Sequence, residues 1–350
     1  MEQQGDRPAP PWIESGAHPV AEGVWRSPLP LPTDGLRAVN VYAVADDDGF
    51  TLVDSGWALD VARRDLMAAL AELGAGLGDI KQFLVTHMHR DHFTQAIAIR
   101  REFGTRVLLG ERERRAIERH AEMRESGVST FWDVLDRHGA SELAAVLRAG
   151  GPPSVDPNVE SPDTWIVSGD RFKVGNRVLE AIETPGHTRG HVVFADHDNG
   201  LLFAGDHVLP HITPSVGFEP EPKGLPLRDY LGSLRLVRAL PDMTLLPAHG
   251  PAGDRVHARV DQLLDHHAVR LKDMAAVLAT GPQTAFQVAS QIGWTSRKRR
   301  FADLDPFNQQ LAVLETALHL DLLVAQEEAT ATDREGVRFY SAGIQPPVGS

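Results

Sequence analysis

The residues with the clearest chemical potential lie in one short run, Thr86-His87-Met88-His89-Arg90-Asp91-His92, at the end of the apolar stretch IKQFLVT. Four possible ligands fall within six positions, and a loop at a strand end lets them turn toward one point without straining the backbone. Imidazole and carboxylate together suit zinc and, less strictly, manganese or iron. The competing reading, a polar loop of solvated histidines, does not account for the spacing H-x-H-x-D-H directly after a strand. Three more candidates follow: His187 in the Pro-Gly turn TPGHTRGH (184–191), Asp206 in AGDH (204–207) after the run LLFAG, and His249 in PAHG (247–250). Taken singly, each reads as a hydrogen-bonded turn residue. Together they repeat one rule, a ligand-type side chain set just past a buried strand on rigid support.

The elements that must position these groups are legible as alternating runs. GVWRS, RAVNVYAVA and FTLVDSG read as strands, the last two joined by the acidic turn Asp46-Asp47-Asp48-Gly49 into a hairpin. Residues 58–73 carry apolar positions at helical spacing, and residues 111–149 read as charged helix before Pro152, Pro153, Pro157 and Pro162 mark a loop. Strand runs resume with TWIVSG, RFKVG, RVLEAIET, HVVFAD and LLFAG. A helix near 227–240, the strand run MTLLPAHG and a long helix over 252–278 follow. Two groups of strands, each followed by helices, predict an α/β fold of two packed sheets with helices outside. We read 1–14 as a flexible lead-in, 15–280 as one domain with a helical insertion at about 111–160, and Gly281-Pro282 as a boundary. Beyond it, TAFQVASQIG and FNQQLAVLETALHL read as helices and LLVAQ and VRFYSA as a strand pair around EEATATDREG. That order is winged-helix-like over 281–350.

With VDSG (53–56), THMHRDH, TPGHTRGH, AGDH and PAHG in this order over about residues 20–278, the chain resembles the metallo-β-lactamase superfamily. The resemblance implies a four-layer αβ/βα sandwich with a metal site at one edge. It implies that His87, His89 and His187 hold a first metal, that Asp91, His92 and His249 hold a second, and that Asp206 bridges them. It also implies that Asp54 orients ligands from outside the centre. His191 and His207 adjoin ligands and are expected to support or pack against them. One class of true β-lactamases has a cysteine ligand, and this chain has no cysteine. The His/Asp set is more similar to the glyoxalase II and lactonase branches. Two zinc-like dications about 3.5–4 Å apart lower the pKa of a shared water to about 7. The expected activity is therefore hydroxide attack, supported by Asp91 and Asp206, on an ester, thioester or lactone of a small molecule. His211, Phe131 and Trp132 are the candidates for substrate contact, with the segment VGFEPEP (216–222) as a further substrate loop.

Three rival readings stay open: a nuclease or phosphodiesterase using the C-terminal domain, a mono-iron sulfur-oxidising dioxygenase, and a regulator with a vestigial metal domain. The cluster Arg297-Lys298-Arg299-Arg300 favours the first. Against it, residues 279–350 hold six basic and eight acidic residues, and the whole chain carries 35 basic against 48 acidic, net −13. That balance argues against a nucleic-acid or anionic-membrane footprint. The absence of cysteine excludes disulfides, thiolate metal sites and a cysteine nucleophile. The first residues, MEQQGDRPAPPW, have neither the positive leader nor the apolar core of a secretory signal, and no uncharged apolar run approaches the ~20 residues of a membrane helix. A cytoplasmic enzyme with a small-molecule substrate and no membrane or nucleic-acid partner is the expectation, with a homodimer through the C-terminal domain left open.

Overall fold

The structure, a computed structural model, describes residues 11–32, 35–126, 132–151, 155–216, 224–295 and 298–343. Of the expected lead-in, Pro11–Ile13 form a short 3-10 helix and residues 1–10 lie outside the described residues. The first sheet runs in chain order: β1 (His18–Ala21), β2 (Val24–Pro30), β3 (Ala38–Asp46), β4 (Gly49–Val53), β5 (Ile80–Val85), β6 (Arg106–Gly110) and β7 (Thr164–Ile166). Its first four strands are antiparallel. The turn between β3 and β4 is the acidic one expected from sequence, with Asp46 opposite Gly49 and the Asp46 carboxylate accepting the Asp47 N–H. From β4 onward the pairing is parallel, with helices α1 (Asp60–Glu72) and α2 (Arg90–Phe103) as crossovers.

After the helices α3 (Arg114–Ser126), α4 (Asp133–Arg137) and α5 (Ser141–Ala149), a second sheet is built from β8 (Arg171–Val174), β9 (Arg177–Glu183), β10 (Val192–Asp196), β11 (Leu201–Gly205) and β12 (Thr244–Pro247). β11 and β12 are parallel, with α6 (Pro226–Ala239) between them, and α7 (Val256–Leu278) follows. Side-chain alternation along the strands makes the layers. Val53, Leu84 and Leu108 meet Val192, Phe194 and Phe203 between the sheets. Leu52, Phe83 and Val85 face Leu66, Leu70, Phe93 and Ile97 of α1 and α2, and on the other side Val193, Leu202 and Leu245 face Leu227, Leu234, Val260 and Leu263 of α6 and α7. The result is the helix–sheet–sheet–helix stack expected from sequence. In each parallel pair, β4/β5 and β11/β12, the chain leaves the carboxyl ends at the same edge, where sheets of this kind bind ligands.

The C-terminal segment departs from the sequence reading. A third sheet, ordered β13 (Gln283–Thr284), β15 (Val337–Ala342) and β14 (Ala329–Arg334), accompanies α8 (Ala285–Gln291) and α9 (Pro306–Ala325). LLVAQ was expected to be a strand, but α9 continues to Ala325. The first hairpin strand is ATATDR, read from sequence as a polar connector. A short apolar run does not distinguish helix from strand, and the polar residues of β14 fit its place at the sheet edge. The boundary at Gly281-Pro282 does not divide the core either. Leu135, Ala140 and Ala144 of the insertion, Met274 and Leu278 of α7, and Val288, Val313, Leu320 and Tyr340 form one buried cluster. α4 and α5 therefore pack on the C-terminal segment. Trp132, expected to touch substrate, packs against this same core.

Candidate metal centre

The centre starts from a backbone exception. Asp54, directly after β4, has φ 61°, a left-handed conformation that costs a non-glycine residue about 1 kcal/mol or more. The turn aims its buried carboxylate across the sheet edge. Oδ1 accepts the Thr86 N–H at 2.8 Å and the Thr86 hydroxyl at 2.9 Å, and Oδ2 accepts His92 Nδ1–H at 2.9 Å. Ser55 adds a hydroxyl donated to the His92 carbonyl at 2.7 Å. The segment from Thr86 to His92 is thus fixed from below before any ion is considered. It is a loop only to His89, and Asp91 and His92 stand in the first turn of α2 rather than in the loop expected from sequence.

Outer partners set the tautomer of each ring. The Thr86 hydroxyl gives its proton to Asp54, so at 3.0 Å it accepts from His87 Nδ1–H. His187 Nδ1–H donates to the Ser215 carbonyl at 2.6 Å, and His249 Nδ1–H to the Ala38 carbonyl at 2.7 Å. With His92 tied to Asp54, four Nε2 lone pairs point inward. His89 turns the other way, its Nδ1 lying 3.0 Å from both His87 Nε2 and His187 Nε2.

Two ligand sets result, with Asp206 between them. Asp206 Oδ2 is 3.4 Å from His187 Nε2. Its Oδ1 is 3.3 Å from His249 Nε2 and 3.7 Å from His92 Nε2, and Asp91 Oδ2 lies 3.4 and 3.5 Å from the same two nitrogens. All seven side chains expected from the sequence come together in these sets. An ion with four bonds of about 2.0–2.1 Å holds its ligand atoms about 3.3–3.4 Å apart, so separations of this size suit a small transition ion. Three of these atoms make the same case again: His92 Nε2, His249 Nε2 and Asp206 Oδ1 are buried and have no hydrogen-bond partner. Each such atom costs about 1–3 kcal/mol unless something takes its lone pair, and a cation does so.

The electrostatics of the two sets differ. Burial pushes His87 well below its ordinary value, with His92 and His89 adding to the effect, and burial with His187 lowers His89 to about 3. These rings are neutral ligands at pH 7. Burial would also lower His249, but Asp206 and Asp91 override it and raise the ring to about 10. Asp91, Asp54 and Asp206 likewise hold His92 well above its ordinary value against the effect of burial.

Two glycines let the loops approach. At Gly205, φ 50°, a Cβ would lie 2.7 Å from His191 Nε2 and 2.8 Å from Thr86; at Gly186, φ 147°, it would lie 2.4 Å from Tyr230 Cβ. His191 supports the bridge: its Nε2 accepts the Asp206 N–H at 3.1 Å and its Nδ1–H donates to Thr184 at 2.8 Å. His207 instead packs. Its buried ring meets the edge of Tyr230, whose hydroxyl donates to the His207 carbonyl at 3.0 Å. His211 is exposed on the segment after Asp206, and Phe131 and residues 217–222 lie outside the described residues. Several contributors carry no sequence motif. The Ser215 and Ala38 carbonyls cannot be told from any other backbone group. Asn40 and Tyr42, which donate to the Pro247 carbonyl at 2.9 and 2.8 Å and so clamp the His249 loop, stand out only as polar residues in a buried strand. Arg90, between His89 and Asp91, lays its guanidinium 4.0 Å over Trp57, whose indole N–H donates to Asp156.

Residues 34–249 match the profile of the Metallo-beta-lactamase superfamily. The chain belongs to that superfamily. Within it, the chain is 27% identical over 329 residues to the probable metallo-hydrolase YqjP of Bacillus subtilis, covering 86% of this chain and 96% of that one. It is 30% identical over 216 residues to a hydroxyacylglutathione hydrolase of Cereibacter sphaeroides, covering 60% of this chain and 65% of that protein. Among solved structures, a beta-lactamase domain protein from Burkholderia ambifaria superposes with a TM-score of 0.78 at 27% identity over 93% of this chain and 94% of that one. This member of the superfamily is a metallo-hydrolase by family, with a His/Asp set suited to metal ions.

Proposed function

We propose that the protein is a dinuclear metal-dependent hydrolase, with zinc as the metal, acting on an ester, thioester or lactone of a small molecule. The observation that carries the reading is the pair of ligand sets with Asp206 between them, three of whose inward atoms, His92 Nε2, His249 Nε2 and Asp206 Oδ1, have no hydrogen-bond partner. His87, His89, His187 and Asp206 would hold one ion, and Asp91, His92, His249 and Asp206 the other. Two bound dications supply Lewis acidity and a water acidic enough to ionise at neutral pH. The chain's part is to fix the ligands and to leave one side open. Asp91 is 15% exposed while His92 is fully covered, so substrate meets the centre over the His89–Arg90–Asp91 corner. The seven ligands carry two negative charges, leaving a doubly loaded centre positive and attractive to a carbonyl oxygen. Similarity to a hydroxyacylglutathione hydrolase favours acyl substrates.

The phosphodiesterase reading finds no support in the basic cluster. Arg300 pairs with Asp303 at 3.0 Å, Arg299 donates to the Asp303 carbonyl, and Arg297 lies outside the described residues. The test is a panel of thioesters, lactones, aryl esters and phosphodiesters offered to metal-replete protein and to Asp206→Ala. Turnover of an acyl substrate that vanishes in a folded Asp206→Ala supports the proposal. Turnover of phosphodiesters alone, or acyl turnover unchanged in the variant, refutes it.

A further inference from the structure

The segment 208–216 borders the centre yet belongs to no strand or helix, and among the described residues no backbone–backbone hydrogen bond holds it. Its start follows Asp206, and near its end the Ser215 carbonyl accepts His187 Nδ1–H at 2.6 Å. Between these points Pro210 is buried against Gly250, the residue after His249, while His211 and Ile212 are exposed. A strip of backbone with no ladder, buried on either side of His211 and Ile212, is held only where other groups take its carbonyls.

One side chain provides them. Arg259, near the start of α7, donates from Nε to the Leu209 carbonyl at 2.5 Å and from Nη2 to the Ile212 carbonyl at 2.8 Å. Its remaining fork, Nη1, donates to Gln262 at 2.9 Å on the same helix. A planar guanidinium can hold two carbonyls three residues apart in fixed relation, which a single-point donor cannot. The support is rigid, since the far end of α7 sends Met274 and Leu278 into the C-terminal core.

We infer that Arg259 is a positioning residue of the metal centre. It pins the 208–216 segment and, through the Ser215 carbonyl, fixes the ring of His187. Loss of the guanidinium leaves the Leu209 and Ile212 carbonyls unheld, and the acceptor that orients His187 gains freedom. Groups that orient ligands from outside typically change metal affinity about 10–100-fold when removed, and Arg259 acts one link further out, so about tenfold is expected.

The inference rests on the proposal that these ligand sets bind metal. The experiment is therefore zinc binding, read by competition with a chromophoric chelator, in the full chain and in Arg259→Ala, Arg259→Lys and Gln262→Ala. The parent chain takes up two equivalents. Arg259→Ala binds one of the two about tenfold more weakly, Arg259→Lys recovers part of the loss, and Gln262→Ala matches the parent. A titration of Arg259→Ala that superimposes on the parent overturns the inference. Should Arg259→Ala not fold, Arg259→Lys decides, because one ammonium cannot hold both carbonyls and a parent-like titration would again overturn it. A parent chain that binds no zinc overturns the metal proposal itself, a distinguishable result.

Discussion

Replacing Asp54 with Asn isolates one hydrogen bond of the centre from everything else the residue does. Asparagine tolerates the left-handed region at least as well as aspartate, so φ 61° and the chain path survive the change. The carboxylate, however, faces donors on both sides: the Thr86 N–H and hydroxyl at Oδ1, and His92 Nδ1–H at Oδ2. An amide offers one acceptor. With its oxygen toward the two Thr86 donors, its NH2 meets His92 Nδ1, and the ring must shift its proton to Nε2, the atom that faces Asp91 and Asp206. A ring protonated there cannot ligate. His87 keeps its orientation, because its tie runs through Thr86. Outer-partner losses of this kind cost about 10–100-fold in metal affinity, or about 1.4–2.7 kcal/mol. Asp54→Asn is therefore expected to weaken the ion held with Asp91, His92 and His249 by that factor and to spare the one held with His87, His89 and His187. Stepwise chelator competition with zinc resolves the two. Equal weakening of both ions, or none, would refute the tautomer argument.

Other consequences follow from the same geometry. Gly186→Ala sets a methyl 2.4 Å from Tyr230 Cβ at a φ of 147°, and combined overpacking and strain should cost at least about 2 kcal/mol, seen as a lower denaturation midpoint; a midpoint within error of the parent would contradict the close approach. Away from the centre, burial lowers His138 to about 4 and His319 to about 3, and burial with His319 lowers His267 to about 2. These rings are neutral in the fold and take up protons on unfolding at about 6.5, so the unfolded chain binds more protons between roughly pH 4 and 6.5, and stability is lost as the pH is lowered through that window. These three rings contribute about 4 kcal/mol per pH unit near pH 5, and the lowered His87 and His89 of the stripped centre add in the same direction. Urea midpoints of chelator-stripped protein measure it, and a flat profile from pH 6.5 to 5 would show the rings are charged or exposed.

The ligands were legible because each sits within a few residues of a strand end, where sequence neighbours remain spatial neighbours. Asp54, at the end of β4, is legible for the same reason. What orients them was less so: Ser215 and Ala38 act through carbonyls that every residue owns, and Arg259 reaches its segment from about 50 residues away. The C-terminal segment misled for a different reason. LLVAQ is apolar on every side because α9 is buried nearly all round, which erases the helical stripe that periodicity relies on. ATATDR is a strand whose outward residues are polar, so its composition reads as a loop. Trp132 was placed by residue type alone. It packs with α4 and α5 into a core shared with a segment about 150 residues later, which no local pattern reports.

Diffraction from zinc-soaked crystals at the metal absorption edge addresses the central claim most directly. The account predicts two anomalous peaks about 3.5–4 Å apart, one among His87, His89 and His187, the other among Asp91, His92 and His249, with the Asp206 carboxylate between them. A single peak that persists at saturating zinc, or two peaks that leave Asp206 uncoordinated, would contradict it.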